Sequence, residues 1–273
     1  MTLPSRLSDR LAAHGLTANK ALGQHFLLDL NVTRKIARLS GAGRGDHVIE
    51  VGPGPGGLTQ ALLETGARVT AVERDPRFLP LLQELADTFA GRLDIVLGDA
   101  LRVNEAQLAG PEGAMIVSNL PYNVGTPLLI KWLTGDFRPR SLTLMFQKEV
   151  AERIVASPGE PAYGRLAVLA AAVTRARRVL DVPAMAFVPA PRVDSAVVSL
   201  IPRTDPIPDR ELQALQQVTA AAFGQRRKML RASLRNLGGE ALCLAAAVDP
   251  SVRAESLDLG AFQRLARALL TKA

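Results

Sequence analysis

The chain has 273 residues, 48% of them apolar and 22% charged, which is enough to bury a real core and too apolar for an intrinsically disordered chain. One cysteine, Cys243, and three scattered histidines, His14, His25 and His47, exclude an internal disulfide or thiolate zinc cage and leave no metal centre to expect. The formal charge is +7, from 27 Arg and 6 Lys against 26 acids, and residues 206–273 hold +4 of it, so nucleic acid is a reasonable partner. The longest apolar runs, such as residues 166–173, are too short to cross a bilayer. Residues 1–16 have no unbroken apolar segment of the secretory kind. A monomeric, cytoplasmic chain without membrane contact is the expectation.

In chain order, a first helix leads to the segment Leu22-Gly23-Gln24-His25-Phe26-Leu27. A second helix is expected after Asp29, a candidate N-cap, with Ile36 and Leu39 on its buried side. Past residue 43, short apolar strands at 47–51, 68–73, 93–97, 114–118 and 142–146 alternate with helix-length stretches such as 58–65 and 77–89. Such alternation implies βαβ units and a mainly parallel sheet. Residues 179–182 and 195–201 read as two more strands. Their short Pro-rich connection, Phe187-Val188-Pro189-Ala190-Pro191, favours an antiparallel pair. Three prolines between 202 and 208 suggest a linker, and a boundary is expected near residue 205. Beyond it, 211–235 and 260–268 have helical periodicity.

The loop Glu50-Val51-Gly52-Pro53-Gly54-Pro55-Gly56-Gly57 joins a strand to a helix. Its spacing, Gly52-x-Gly54-x-x-Gly57, lets backbone turn tightly against a ligand, as in dinucleotide sites. Glu73 ends the next strand, about 20 residues on, where a carboxylate can accept ribose hydroxyls. Asp99, ending the third strand, can accept from an adenine amino group. Together they describe a nucleoside pocket and an adenosine-bearing cofactor, without deciding between NAD and S-adenosylmethionine.

The fourth strand runs into Asn119-Leu120-Pro121-Tyr122-Asn123, and Thr126 with Pro127 are expected to start the following helix. Asn119-Leu120-Pro121-Tyr122 resembles the signature of amino-group methyltransferases that use S-adenosylmethionine. The residue types suit that chemistry. An adenine amine is a poor nucleophile because its lone pair is delocalised into the ring. The Asn119 side-chain oxygen and the Leu120 or Pro121 carbonyl can accept its two N–H bonds and turn that lone pair toward a methyl group. Tyr122 offers a face for the base to stack on.

Further segments extend the likeness over nearly the whole chain: residues 147–153, Tyr163-Gly164-Arg165-Leu166, Phe187-x-Pro189-x-Pro191 with Asp194-Ser195-Ala196-Val197, and Phe223-Gly224-Gln225-Arg226-Arg227-Lys228. The sequence resembles the ribosomal RNA adenine N6,N6-dimethyltransferases of the small-subunit type. That resemblance implies a Rossmann-like α/β domain (1–205), mainly parallel with an antiparallel last strand, which binds S-adenosylmethionine. It also implies a small helical RNA-binding domain (206–273). The activity implied is dimethylation of two adjacent adenosines near the 3′ end of small-subunit RNA in an assembling particle. His25, Leu27, Gly52, Gly54, Glu73, Asp99 and Asn119 match cofactor positions, with His25 standing where the family usually has Asn. Asn119, Leu120, Pro121 and Tyr122 match the catalytic motif, and Phe187 would close over the target base opposite Tyr122.

Arg226, Arg227, Lys228, Arg231 and Arg235 are five basic residues with no acid between 224 and 239. On one helix Arg227, Arg231 and Arg235 would share a face suited to RNA phosphate, with Leu230, Leu234 and Leu237 on another. Three competing readings remain at this stage. They are an RNA-binding assembly factor with feeble chemistry, a nicotinamide oxidoreductase, and a methyltransferase for large-subunit RNA.

Overall fold

A computed structural model describes residues 7–18 and 24–272; Leu22 and Gly23 of the N-terminal motif lie outside the described residues. The chain divides into two compact units, Met1–Ala151 with Arg177–Ile201, and Glu152–Ala176 with Pro202–Ala273. Residues 152–176 therefore group with the C-terminal unit and not with the preceding sheet, unlike the single boundary read near 205. The apolar run at 166–173 is the reason. It suits a helix against a sheet or against other helices, and its packing partners lie forty or more residues further on.

In chain order the first unit contains α1 (Leu7–Ala13), β1 (Phe26–Leu27), α2 (Leu30–Ser40), β2 (His47–Val51), α3 (Gly57–Glu64), β3 (Arg68–Glu73), α4 (Leu79–Thr88), β4 (Leu93–Leu97), α5 (Glu105–Ala109), β5 (Met115–Asn119), α6 (Gly125–Thr134) and β6 (Leu142–Gln147). The unit boundary falls inside α7 (Lys148–Val155), and after α8 (Arg165–Val173) the chain returns with β7 (Thr174–Val182), β8 (Phe187–Val188) and β9 (Ser195–Pro202). Seven strands make one sheet in the order β4-β3-β2-β5-β6-β9-β7, and β1 pairs separately with β8. The β2–β3, β3–β4, β2–β5 and β5–β6 pairs are parallel, and β9 runs antiparallel to β6.

The chain steps outward from β2 to β4 and then crosses back to lay β5 on the other flank of β2. Strand order thus reverses between β2 and β5, the place where open α/β sheets leave a crevice beyond their carboxyl ends. Helices cover both faces, so β2 is buried at every residue and reads as an unbroken apolar run except for His47 and Glu50. Ile49, Val69, Ala71, Leu62, Leu81 and Leu85 are fully buried around it.

Two local expectations shift. Asp29 does cap α2, accepting from Asn31 N at 2.8 Å. The buried stripe of that helix, however, is Thr33, Ile36, Ala37 and Ser40, which leaves Leu39 39% exposed. Helix α6 begins earlier than Thr126 implied. The Pro121 carbonyl accepts from both Val124 N and Gly125 N at 3.1 Å, which starts the helix two residues sooner and makes Val124 the cap.

The second unit packs α8, α9 (Asp209–Gly224), α10 (Leu230–Ser233), α11 (Gly239–Ala245) and α12 (Leu259–Lys272) around buried Leu215, Val218, Leu230, Leu234, Phe262 and Leu265. Phe223 lies between Tyr163, edge-on at 6.0 Å, and Phe262, stacked at 5.5 Å. The helix expected over 211–235 stops at Gly224. Arg226 turns back to donate to the Pro161 and Tyr163 carbonyls at 2.7 and 2.9 Å and to Glu255. Leu230 N and Arg231 N then bond the Val252 and Pro250 carbonyls. These partners from other segments outweigh the helical pattern of residues 225–235, while Leu230 and Leu234 still point inward. Arg227, Arg231 and Arg235 consequently do not form one helical stripe, although they and Lys228 are exposed.

Candidate active site

Beyond the carboxyl ends of β2 to β5 the first unit holds a cavity of about 340 Å³, within the size range of small-ligand sites. It brings together every cofactor and catalytic candidate read from the sequence. His25, Leu27, Gly52, Gly54, Glu73, Asp99 and Asn119 line it, as do Leu120, Pro121, Tyr122 and Phe187. Arg226, Arg227, Lys228, Arg231 and Arg235 belong to the other unit.

The floor is backbone. Gly52 and Gly54 have φ of +68° and +53°, a region that strains residues carrying a Cβ. A Cβ at Gly52 would also sit 3.2 Å from the Pro121 ring, so the glycine lets the loop after β2 meet the turn after β5. Ser118 reinforces that junction, its hydroxyl donating to the Val51 carbonyl.

Glu73 holds the loop in place. One oxygen accepts from Gly54 N at 2.9 Å, and the other from Arg74 N and Asp75 N at 2.8 and 2.7 Å. A carboxylate offers roughly four acceptor positions, so Glu73 keeps about one for a ligand instead of the free carboxylate its position at the strand end suggested. Burial raises its pKa, and the three N–H donors oppose that. Next to it, Asp75 is pulled down to about 2 by its hydrogen bonds to Arg77, with Gln24 assisting and burial opposing. Asp99 uses one oxygen to accept from Leu101 N at 3.0 Å, and half-buried on the cavity wall it has acceptor capacity to spare.

At the opposite wall, the Asn119 side chain makes no hydrogen bond among the described residues and lines the cavity. With the Pro121 carbonyl already accepting two N–H groups, the Leu120 carbonyl is the freer second acceptor. The Tyr122 hydroxyl lies 2.8 Å from Ser195 Oγ, which fixes the ring, and burial raises its pKa. His25 lies against that ring with centroids 5.7 Å apart and planes tilted by 31°. Its Nδ1 is 2.8 Å from the Pro189 carbonyl and must donate there, since a carbonyl only accepts. Phe187, 3% exposed, pairs through β8 with Leu27 of β1 and belongs to the core while its edge reaches the cavity.

One residue on the wall was not singled out from the sequence. Glu50 is 1% exposed, lines the cavity, and its Oε2 has no hydrogen-bond partner among the described residues. Burial pushes its carboxyl up to about 8, with the Thr59 hydroxyl opposing and Glu73 adding to the rise. The available signal was a carboxylate near the end of a strand buried on both faces, where an acid is costly without a purpose.

Similarity to known proteins identifies the family. A family model described as ribosomal RNA adenine dimethylase matches residues 15–269. The chain is 66% identical over 272 residues to the ribosomal RNA small subunit methyltransferase A of Phenylobacterium zucineum, covering 99% of this chain and 94% of that one. It is 66% identical to the protein of the same name from Caulobacter vibrioides, over 93% and 98% of the two chains. Among solved structures, a dimethyladenosine transferase from Plasmodium falciparum shares the fold at TM-score 0.72 and 24% identity, over 88% of this chain and 96% of that one. The 23S rRNA methyltransferase ErmE is similar at TM-score 0.68 and 26% identity, over 89% and 99%. With a matching model that spans almost its full length, the chain belongs to the ribosomal RNA adenine dimethylase family.

Proposed function

We propose that this chain dimethylates the N6 amines of two adjacent adenosines near the 3′ end of small-subunit ribosomal RNA, with S-adenosylmethionine as donor, during assembly of the particle in the cytoplasm. The observation that carries the reading is the Asn119 amide, open to the cavity and without a partner among the described residues, beside the Leu120 carbonyl. Identity of 66% to relatives named for the small subunit, against 26% to ErmE, supports the small-subunit target over the large. Family membership leaves no place for a nicotinamide oxidoreductase.

The cavity suits the donor. Side-chain-free backbone at Gly52 and Gly54, spare acceptors on Glu73 and Asp99, and the unpartnered Glu50 oxygen match a cationic adenosine derivative. When bound, S-adenosylmethionine supplies an activated methyl group on a positively charged sulfur. Glu73 and Asp99 would hold its ribose and adenine, with His25, Leu27, Gly52 and Gly54 shaping the remaining wall. Asn119 Oδ1 and the Leu120 carbonyl would accept the two N–H bonds of the target amine and orient its lone pair. Tyr122, held by Ser195, gives the unstacked base a face worth about 1–3 kcal/mol, and Phe187 adds an apolar edge. That stacking offsets the few kcal/mol needed to draw a base out of its stack. No strong base is required, since the amine proton becomes acidic once the nitrogen is alkylated. Exposed Arg227, Lys228, Arg231 and Arg235 would grip phosphate and position the RNA.

Incubation with labelled S-adenosylmethionine and unmethylated small subunits tests this. Label on two adjacent adenosines near the 3′ end is expected. Label confined to large-subunit RNA, or cofactor binding without transfer, would overturn the reading in favour of the large-subunit enzyme or the binding factor.

A further inference from the structure

We propose that Glu50 lets this site tell the cationic methyl donor from its product: Glu50 keeps a proton until a positively charged sulfur occupies the cavity, and then releases it to solvent. The inference rests on the donor reading above and goes beyond it.

Four acids line the cavity, and three of them are provided for. Glu73 accepts three backbone N–H groups, Asp75 pairs with Arg77, and Asp99 accepts from Leu101 N. Glu50 stands apart. It sits one residue before the end of β2, 1% exposed, with its Oε2 unpartnered. The Thr59 hydroxyl, from α3, is the donor facing it and lowers its pKa somewhat without closing a full hydrogen bond. One weakly placed hydroxyl is too little to make an ionised carboxylate tolerable in that position. The charged and titratable groups sharing its wall are Glu73, Arg74, Asp75 and Arg77 after β3, Asp99 after β4, Tyr122 after β5, and His25 before β1. Of these, Glu73 acts on it, and repels its charge. A carboxyl held near 8 by burial is mostly protonated at neutral pH and within easy reach of a nearby cation.

Donor and product differ at the sulfur. S-adenosylmethionine carries a sulfonium beside its ammonium, whereas S-adenosylhomocysteine carries the ammonium alone. The extra positive charge favours the Glu50 carboxylate, and the acid's proton leaves to the buffer. Once the sulfur is neutral, that gain disappears, Glu50 recovers a proton from solvent, and the product is held less firmly. Glu50 thereby favours entry of the donor and exit of the spent cofactor.

Calorimetry of the full chain at pH 7, in phosphate and in Tris, counts protons exchanged on binding each ligand. S-adenosylmethionine should release about 0.5–0.9 proton, as expected for an acid titrating near 8, and S-adenosylhomocysteine clearly fewer. Donor affinity should rise with pH and level off above 8, and product affinity should vary less. In Glu50→Gln the difference in proton count should vanish. The preference for donor over product should fall by about tenfold, the effect of one lost charge partner, with product affinity within about threefold of the parent. Infrared difference spectra of the unmodified chain give the same reading without a substitution, since donor and not product should remove a protonated-carboxyl C=O band. Equal proton release for both ligands, or an unchanged C=O band with the donor, overturns the inference alone. Failure of either ligand to bind overturns the donor reading and this inference with it.

Discussion

The turn after β5 and the segment between α9 and α11 are both short, both rich in motif residues, and both lie after a regular element. They spend their polar groups differently. In the turn, backbone bonds close the structure through the Pro121 carbonyl, and the Asn119 side chain makes no hydrogen bond among the described residues. In residues 225–235 a side chain does the closing. Arg226 spends its guanidinium on two carbonyls and Glu255, and its neighbours Arg227 and Lys228 remain exposed. Adjacent residues of one motif thus differ in whether the fold uses them, and the division shows only in where the hydrogen bonds go.

Substitutions can break this contrast. The largest effect is expected at Asn119→Ala. Methyl transfer should drop by about 10²–10³-fold, the usual scale for losing one aimed polar group at a reacting centre. The melting temperature should stay within about 2 °C, because no internal hydrogen bond is lost. A cooperative loss of stability in that variant would mean that Asn119 belongs to the structure after all.

Glu50→Gln comes next and is read in stability. The folded pKa of about 8 lies above the ordinary value of 4.5. The contribution of Glu50 is therefore fully present below about pH 4.5 and is lost as pH rises through 8. The Gln variant should escape that loss and gain on the parent by a few kcal/mol above pH 8. Urea unfolding at pH 5, 7 and 9 measures it; parallel curves for the two proteins would show that the carboxyl is ionised throughout.

Smaller effects separate the basic residues from one another. Arg226→Ala should cost about 1–2 kcal/mol of stability through its hydrogen bonds to carbonyls and a half-exposed ion pair. Arg227→Glu with Lys228→Glu should leave stability within about 0.5 kcal/mol. Their effect should appear as weaker RNA binding and a salt dependence shallower by about one unit per lost contact. If Arg226→Ala instead weakened RNA binding with no change in unfolding, the division of labour drawn here would be reversed.

Much of the first unit could be read from local patterns. Strand–helix alternation gave the parallel sheet, because a strand buried on both faces must be continuously apolar. The motif at 119–122 and the glycine loop pointed to one cavity, because strand ends in such a sheet converge on one edge. Asp29 announced its cap through its side-chain oxygen. Glu73 was placed correctly on the wall, but its use in holding Gly54 was not visible, since the partner N–H lies 19 residues away in sequence.

What the linear chain determined for itself were features written in a few neighbouring residues: period, caps, glycine spacing, and the residue types that amine chemistry needs. Tertiary structure alone decided the rest. It gathered residues 152–176 into the C-terminal unit, ended α9 at Gly224, consumed Arg226 and left Glu50 unpartnered beside the cavity. Each of these depends on which distant group arrives to satisfy, or fails to satisfy, a buried polar atom, and no window of local sequence contains that partner.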